Sequence, residues 1–262
     1  MVNRISLLKS VLSIVALLVF FASTATAQFF RIGSRPVQPE IAIWEMLGNQ
    51  SAKQVENRLY YKSYGVLGDY SGTPYVLDSL STARVVDSKG DIYEVRYFNV
   101  DAYSDEFIVS KTNNLADEDY IWLNKKEIDF VIVANTSGND KSKRYFKNIE
   151  FIDEPLGICE VLFNNEEIGI QVYRKHNRKF TDAIQGTNII ADRPPRFGKS
   201  EYIYVFKVKE GLVRVKNEKA FVKLFGENKK KVKKLIKEMK LDYRNPDHLI
   251  NIFLAFPNLS LI

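Results

Sequence analysis

The sequence predicts an α+β fold that is mainly antiparallel β, with about nine strands in a curled sheet or partial barrel and a C-terminal helical cap. Three observations lead to this fold class. Runs rich in β-branched and aromatic residues follow one another from residue 83 to residue 215, joined by short polar connections. No helix-length segment separates them, whereas parallel neighbours would need long crossovers. Helical periodicity begins only near residue 217.

The strand region opens with a predicted hairpin. In ARVVDSKGDIYEVRYFN, residues 83–99, Gly90 lies in a polar connection between two β-prone runs. The run at 202–209 is apolar on both faces in its first half, so we expect it to be covered on both sides, partly by a helix. The remaining strands are predicted at 106–111, 128–134, 143–152, 158–163, 168–175 and 212–215.

Three helices are predicted between residues 217 and 256. Asn217 and Asn245 are the expected N-caps of the first and third, Gly226 should stop the first, and Pro246 suits the first position of the third. Pro257 should end the third helix. The second helix carries an apolar stripe, which consists of Val232, Leu235, Ile236 and Met239.

Most of the basic character of the chain belongs to that second helix. The formal net charge is +6, and residues 226–240 alone hold seven lysines against two glutamates. The lysines lie outside the arc of the apolar stripe, so we expect the stripe to pack on the sheet and the lysines to face solvent. A site for an anionic ligand is the alternative. Binding to nucleic acid is not predicted, because this helix lacks arginine and exposed aromatic residues.

The N-terminal residues 1–27 have the features of a secretory signal peptide. Arg4 and Lys9 precede the apolar stretch VLSIVALLVFFAS, and the small residues at 25–27 offer a cleavage site before Gln28. The apolar stretch is short for a membrane span, and an uncleaved anchor is the alternative. We therefore expect export to the periplasm or the cell exterior, with no stable membrane insertion after cleavage.

Residues 28–262 are expected to form one β-rich domain, with 28–80 as an irregular N-terminal segment, 83–215 as strands and 217–256 as the helical cap. The single cysteine, Cys159, lies in the apolar run GICEVLF, so the chain can form no intrachain disulfide. We interpret Cys159 as a small buried hydrophobe. An exported domain without disulfides is typical of a bacterial envelope compartment and a sizeable core.

The sequence offers few groups for catalysis. Two histidines, His176 and His248, cannot complete a zinc site with one cysteine, and no phosphate-loop, nucleophile-elbow or metalloprotease motif occurs. We predict no metal site and no cofactor. Cations around His176 in YRKHNRK should oppose its protonation. Acids cluster at 101–106 and 117–119, where we expect turns between strands.

Tyrosine is the residue type that most favours partner binding. A tyrosine ring adds contact area at low entropic cost, and its hydroxyl adds a hydrogen bond. Half-buried strand positions are the alternative. The loop at 177–200, with Pro194 and Pro195, is a second candidate for a ligand-facing segment, or else is disordered. The tyrosines proposed to bind a partner are Tyr60, Tyr61, Tyr64 and Tyr70.

Residues 72–107, GTPYVLDSLSTARVVDSKGDIYEVRYFNVDAYSDEF, resemble a pattern of uncharacterised secreted β-rich proteins of Bacteroidota. The lysine-rich ending from Lys219 to Phe253 is similar to the helical C-terminus of that family. The resemblance implies an envelope-exported protein without an assigned activity, and no catalytic residue carries over. We interpret the matching positions as structural; they are Gly72, Pro74, Tyr75, Gly90, Tyr93, Arg96, Tyr97 and Asp105.

These features favour an exported, non-catalytic envelope protein that binds a protein or glycan partner. One alternative is a carrier that holds an apolar ligand between the sheet and the helices, which requires a dry apolar pocket there. The other is a carboxylate-dependent hydrolase, which requires two of the clustered acids to converge in a cleft.

Overall fold

The computed structural model describes residues 36–38, 43, 71–113, 120–134, 143–150, 155–166, 169–184, 193–208 and 211–256. Within these residues, an 11-stranded, mainly antiparallel sheet is followed by C-terminal helices, which confirms the predicted fold class. The sheet is curled and does not close, because β5 and β13 end it on opposite sides. The predicted signal peptide, residues 1–27, lies outside the described residues.

The sheet has the strand order β13-β12-β9-β8-β7-β6-β2-β3-β4-β5, and β1 pairs in parallel with β3. A separate antiparallel pair is formed by β10 and β11. The helices are α1 (Glu218–Lys223), a 3₁₀ turn (Gly226–Asn228), α2 (Lys229–Met239) and α3 (Pro246–Leu254). The strands are β1 (Val37–Gln38), β2 (Ser81–Asp87), β3 (Ile92–Asp101), β4 (Glu106–Ser110), β5 (Tyr120–Leu123), β6 (Ile128–Ala134), β7 (Lys143–Ile149), β8 (Gly157–Asn165), β9 (Ile170–Asn177), β10 (Phe180–Thr181), β11 (Arg196–Phe197), β12 (Glu201–Val208) and β13 (Gly211–Val215).

Each predicted strand has a counterpart in the structure, but the two-residue strand β1, strand β5 and the pair of β10 with β11 were not predicted. Strand β5, YIWL, is only four residues long, too short to show a clear period, yet three of its residues are buried. The segment at 177–200 was predicted as a loop, whereas β10 pairs with β11 inside it. Contact between the rings of Phe180 and Phe197, whose centroids are 4.9 Å apart, stabilises this small pair.

One apolar cluster joins the helices to the sheet. Val172 of β9 and Phe206 of β12 pack with Phe221 of α1, Val232 of α2 and Phe253 of α3, and all five are at most 2% exposed. The other face of the same strands carries a cluster that includes Cys159, Tyr173 and Val205. Strand β12 is therefore covered on both faces, as its sequence predicts. A further cluster covers β2 to β6 and reaches Phe146 and Ile158.

The predicted helix boundaries are largely confirmed. The Asn217 side chain accepts a hydrogen bond from the Ala220 N–H at 2.9 Å, and the Asn245 side chain accepts one from the Asp247 N–H at 2.9 Å. Gly226 adopts a left-handed φ of +48° after α1. Pro257, the expected stop of α3, lies outside the described residues. None of the helices among the described residues is long and apolar enough to cross a membrane.

The stripe of α2 is only partly buried. Val232 and Ile236 are at most 6% exposed, while all seven lysines are exposed, as predicted. Burial of Met239 was wrongly predicted, since this side chain is 56% exposed. The helix ends at Lys240 in a left-handed conformation, and the Leu241 N–H returns to the Ile236 carbonyl at 3.0 Å, so the chain turns away before Met239 meets the sheet.

Candidate functional site

A cleft of about 1510 Å³ opens where β7, β8, β9, β12 and β13 approach the turn before α3. Its lining is unusually basic for one surface of a nearly neutral sheet region. Six cations line it against three carboxylates: Lys143, Arg144, Arg174, Arg214, Lys216 and Arg244 against Glu160, Asp242 and Asp247. Because the cations outnumber the acids, the cleft carries an excess of positive charge. We call this site the basic cleft.

The floor of the basic cleft is organised by one buried carboxylate. Glu160 of β8 is 4% exposed and accepts hydrogen bonds from two guanidinium groups. Arg144 donates from Nε to Oε1 at 2.8 Å and from Nη2 to Oε2 at 2.9 Å. Arg174 donates to Oε2 from Nε at 3.0 Å and from Nη2 at 2.7 Å. His176 donates from Nε2 to Oε2 at 2.7 Å. A single carboxylate thus holds two arginines and a histidine in place.

Strand register explains why these groups meet. Glu160 of β8 lies opposite Arg174 of β9, and Arg174 lies opposite Tyr204 of β12. His176 is two residues beyond Arg174 and therefore shares its face of the sheet. Phe146 of β7 pairs with Glu160 on the other side, which places Arg144 on this face as well.

Burial and the neighbouring positive charges have opposite effects on the pKa of Glu160. Burial alone would raise its pKa, but the hydrogen bonds from His176 and Arg144 and the charges of both arginines outweigh it, so the pKa is well below the usual range. Burial lowers the pKa of His176, and the nearby arginines add to this, although Glu160 opposes it. At neutral pH we therefore assign an ionised Glu160 and a neutral His176 with its proton on Nε2.

Tyrosine rings form the wall above this floor. Tyr202 is 50% exposed, with the Arg174 guanidinium 5.4 Å from its ring centroid and the His176 ring edge-on at 5.2 Å. Tyr204 is buried beside it and meets Tyr243 at 5.8 Å. The cleft therefore presents an exposed aromatic surface whose position is fixed by its neighbours.

The opposite rim of the cleft comes from the turn before α3. Arg244 donates to both oxygens of Asp242, at 2.9 and 3.0 Å, and lies 5.9 Å from the Tyr243 ring. The Asp242 N–H donates to His248 Nδ1 at 2.9 Å. His248 thus stabilises the start of α3, in agreement with its sequence context.

The arrangement is suited to holding an anion rather than to acid–base chemistry. Guanidinium groups offer planar pairs of donors that match carboxylate and phosphate oxygens. Glu160 is kept ionised and its oxygens already accept several hydrogen bonds, so it is poorly placed to give up a proton. Within the described ranges, no group of three or more His, Cys, Asp and Glu side chains could hold a metal ion.

The tyrosines predicted to bind a partner, Tyr60, Tyr61, Tyr64 and Tyr70, lie outside the described residues. Residues 185–192 of the predicted ligand-facing loop also lie outside them. The acids at 117–119, one of the two clusters on which the hydrolase hypothesis depends, lie outside the described residues too.

The positions that resemble the secreted family lie on β3 or in connections next to the strands, and none of them lines the basic cleft. Gly72 has φ +81°, and an added Cβ would lie 2.6 Å from the Phe197 carbonyl oxygen. Gly90 turns the β2–β3 hairpin with φ +83°. The Pro74 carbonyl accepts from the Ala102 N–H at 2.9 Å.

The remaining positions of this set belong to β3 and its neighbours. Tyr93 is buried, and its hydroxyl donates to Asp87 Oδ2 at 3.3 Å. Burial and the nearby Asp87 carboxylate raise the pKa of Tyr93 to about 12. Tyr75 forms an antiparallel bridge with Asp101, while Tyr97 is half-buried and Arg96 exposed on β3.

The acids at 101–106 have structural contacts of their own. Asp101 is 1% exposed, and its Oδ1 accepts from the Tyr103 N–H at 2.8 Å and the Ser104 N–H at 3.0 Å. Asp105 Oδ1 accepts from the Ile158 N–H at 2.9 Å and pairs with Lys175, while its Oδ2 pairs with Lys125 at 2.9 Å. Asp105 thus ties the β3–β4 turn to β8 and β9.

Sequence reasoning missed the residues of the basic cleft, Glu160 and its arginines above all. A signal was present: Glu160 interrupts the apolar run GICEVLF, and a charge inside a buried strand requires partners. The identity of those partners depends on the register of β8 with its neighbours β7 and β9, which alternation alone does not specify.

Comparison with known proteins adds no relative. No protein-family model matches the chain, and neither a curated protein nor a solved structure matches it significantly.

Proposed function

We propose that this chain is an exported, non-catalytic envelope protein that binds an anionic ligand in the basic cleft. Export is supported by the features of a signal peptide in residues 1–27. Binding is supported above all by one observation: two arginines are held on a buried glutamate at the floor of a cleft in which six cations face three acids.

This floor favours binding because the arginines are already ordered. Arg144 and Arg174 are held by four hydrogen bonds to Glu160, yet their side chains remain 25% and 21% exposed. An anion that binds there would lose little side-chain entropy, since the rotamers are set before it arrives. The one carboxylate balances only one of the two guanidinium charges.

The contacts elsewhere favour the cleft over the carrier and hydrolase alternatives. Side chains of the sheet and of all three helices fill the interface between them, including Phe163 and Phe253, whose rings lie 4.7 Å apart. The acids at 101 and 105 are engaged by backbone N–H groups and lysines. Among the residues that the structure describes, neither region supplies the dry pocket or the pair of open carboxylates that those functions need.

The experiment is salt-gradient elution of the purified protein from a sulfated-polysaccharide matrix. The test variant is Lys143→Glu with Lys216→Glu, which reverses two exposed charges on the rim of the basic cleft. The control is Lys229→Glu with Lys230→Glu on the exposed face of α2, which changes the net charge by the same amount. We expect the rim variant to elute at clearly lower salt, because local charge governs a local site.

Equal shifts for the two variants would show that the matrix senses only net charge, and would refute a binding site in the cleft. A shift confined to the α2 variant would refute it too and assign anion binding to the lysine face. All four positions are exposed, so the fold should be retained; far-UV circular dichroism of both variants checks this.

A further inference from the structure

The exposed ring of Tyr202 in the basic cleft indicates which class of ligand would fit there. Tyr202 keeps half of its surface open to solvent, and it stands directly beside the arginine floor. Most exposed tyrosines can change rotamer, but this ring is flanked by His176 at 5.2 Å and by Tyr204 at 6.4 Å. An aromatic ring held in this way offers a flat apolar contact of fixed orientation.

A ligand that uses both features needs an anionic group and a flat apolar face a few ångströms apart. A uronic acid residue has both, since its carboxylate is attached to a pyranose ring with one face of C–H groups. The carboxylate would take paired donors from the guanidinium groups. The Arg174 guanidinium already lies over the Tyr202 ring, 5.4 Å from its centroid, so the C–H face would rest on the part of the ring that is open to solvent.

The rest of the lining fits the hydroxyl groups of a sugar. Asp247 brings a carboxylate to the rim, Asn245 brings the NH₂ group of a side chain whose oxygen caps α3, and Lys143 and Lys216 bring further donors. Sugar hydroxyls donate and accept, so a mixed rim suits them better than it suits a purely accepting anion such as phosphate. Arginine clusters also bind acidic peptides, but a flexible acidic side chain offers no flat C–H face to the exposed ring of Tyr202. At about 1510 Å³ it exceeds the space one sugar needs.

Building on the function proposed above, we propose that the ligand of the basic cleft is an acidic oligosaccharide of the uronic acid class. A uronate carboxylate binds Arg144 and Arg174, and the ring of a sugar residue stacks on Tyr202. Tyr202 then determines specificity for sugars, while the arginines determine the requirement for charge.

Isothermal titration calorimetry of the purified protein tests this assignment. The probes are oligosaccharides of galacturonate, of alginate and of hyaluronan, each compared with its methyl ester, and polyglutamate as an anion without sugar rings. We expect at least one acidic oligosaccharide to bind, and its neutral ester to bind at least about tenfold more weakly.

Two substitutions of Tyr202 separate the contribution of ring stacking from that of the arginine charges. Tyr202→Ala should weaken oligosaccharide binding by about tenfold and leave polyglutamate binding unchanged. Tyr202→Phe keeps the ring and serves as the control, with an expected change below about threefold. The side chain is half exposed, so neither variant should disturb the fold.

The calorimetric results separate the proposed binding of anions from the proposed specificity for sugars. If polyglutamate binds as tightly as every acidic oligosaccharide and Tyr202→Ala alters neither, the cleft binds anions but the assignment to sugars is wrong. If none of the acidic probes binds, both the proposed function and the sugar class are refuted. Equal binding of an oligosaccharide and its methyl ester would show that the arginines do not recognise a carboxylate, and would overturn both.

Discussion

At the scale of single residues, Glu160 shows how a buried charge can be kept in a sheet. Its carboxylate is 4% exposed, and burial of an unpaired charge would be very costly. Two arginines and a histidine on neighbouring strands satisfy it. In the function proposed here, the same contacts hold the arginines for the ligand, so Glu160 would support the site without touching what binds there.

We expect Glu160→Gln to lower the free energy of unfolding by about 3 kcal/mol, because it leaves two guanidinium groups facing an uncharged amide. Urea denaturation measures this change. The control is Glu201→Gln, whose ion pair with Lys179 joins side chains 57% and 66% exposed and should change stability by less than about 0.5 kcal/mol. Equal losses of unfolding free energy for the two substitutions would show that the buried Glu160 cluster contributes no more to stability than the exposed Lys179–Glu201 ion pair does.

Gly157 allows the Asp105 carboxylate to approach β8. It has φ +72°, and an added Cβ would lie 1.9 Å from Asp105 Oδ2. Gly157→Ala should therefore lower stability by more than the roughly 1–2 kcal/mol of a left-handed alanine, because it also displaces the carboxylate from Lys125 and Lys175. Gly169→Ala is the matched control, since Gly169 has a similar φ of +67° but no described residue has an atom within 4 Å of an added Cβ.

Thermal unfolding of the two glycine variants measures the difference directly. Backbone strain is common to both, so a lower melting temperature for Gly157→Ala isolates the clash with Asp105. A Gly169→Ala variant that is equally destabilised would contradict a special role for the approach of Asp105 to β8.

At the scale of elements, most strands could be predicted from sequence, and so could the antiparallel pairing of consecutive strands such as β7 with β8 and β8 with β9. Alternation in YIYVFKVK is a local property, and it correctly indicated a strand covered on both faces. The position of β6 beside β2, rather than beside β5, is non-local. Glu160 and Arg144 lie on consecutive strands, and their contact depends on the register of β7 and β8, which alternation alone does not specify.

Helix α2 shows the limit of a local pattern in another way. A stripe at helical spacing identifies a face, but how far that face stays in contact depends on where the supporting surface ends. Ile236 is 6% exposed and Met239, one turn later, is 56% exposed. The left-handed residue Lys240, which redirects the chain, is not a glycine, so no residue type at this position indicated the turn.

We expect Ile236→Ala to lower the free energy of unfolding by about 2–4 kcal/mol, because it removes buried methyl groups and leaves a cavity between α2 and the sheet. Met239→Ala should change it by less than about 0.5 kcal/mol, since that side chain is largely exposed. Denaturant titration of both variants tests this. Similar losses would mean that Met239 packs against the protein in solution.

At the scale of the whole molecule, a polar cluster lies within a continuous sheet between two apolar clusters. Phe146 and Ile158 belong to the cluster over β2 to β6, and Leu162 and Phe163 to the one beneath the helices. Glu160 lies between these positions on β8, where it pairs with Phe146 on one side and Arg174 on the other. The stability of the molecule should therefore depend on the ionisation state at this junction.

The pKa shifts give the direction of that dependence. The pKa of His176 in the folded chain is below its ordinary value of 6.5, so at lower pH the unfolded chain binds a proton that the folded chain does not. Stability should thus be fully present above pH 6.5 and fall as the pH is lowered. Glu160, also shifted downward, adds a second loss below its ordinary value of 4.5.

Urea denaturation at a series of pH values should show the unfolding free energy decreasing between pH 7 and 5, by at most about 1.4 kcal/mol per pH unit for a single histidine. His176→Gln keeps a donor for Glu160 but cannot titrate, so it should flatten the curve in this range. If the variant kept the full slope, the dependence would arise elsewhere, and a wild-type protein equally stable at pH 5 and 7 would contradict a neutral, buried His176. A flattened curve for the variant would show that His176 makes the stability of the junction between the two apolar clusters depend on pH.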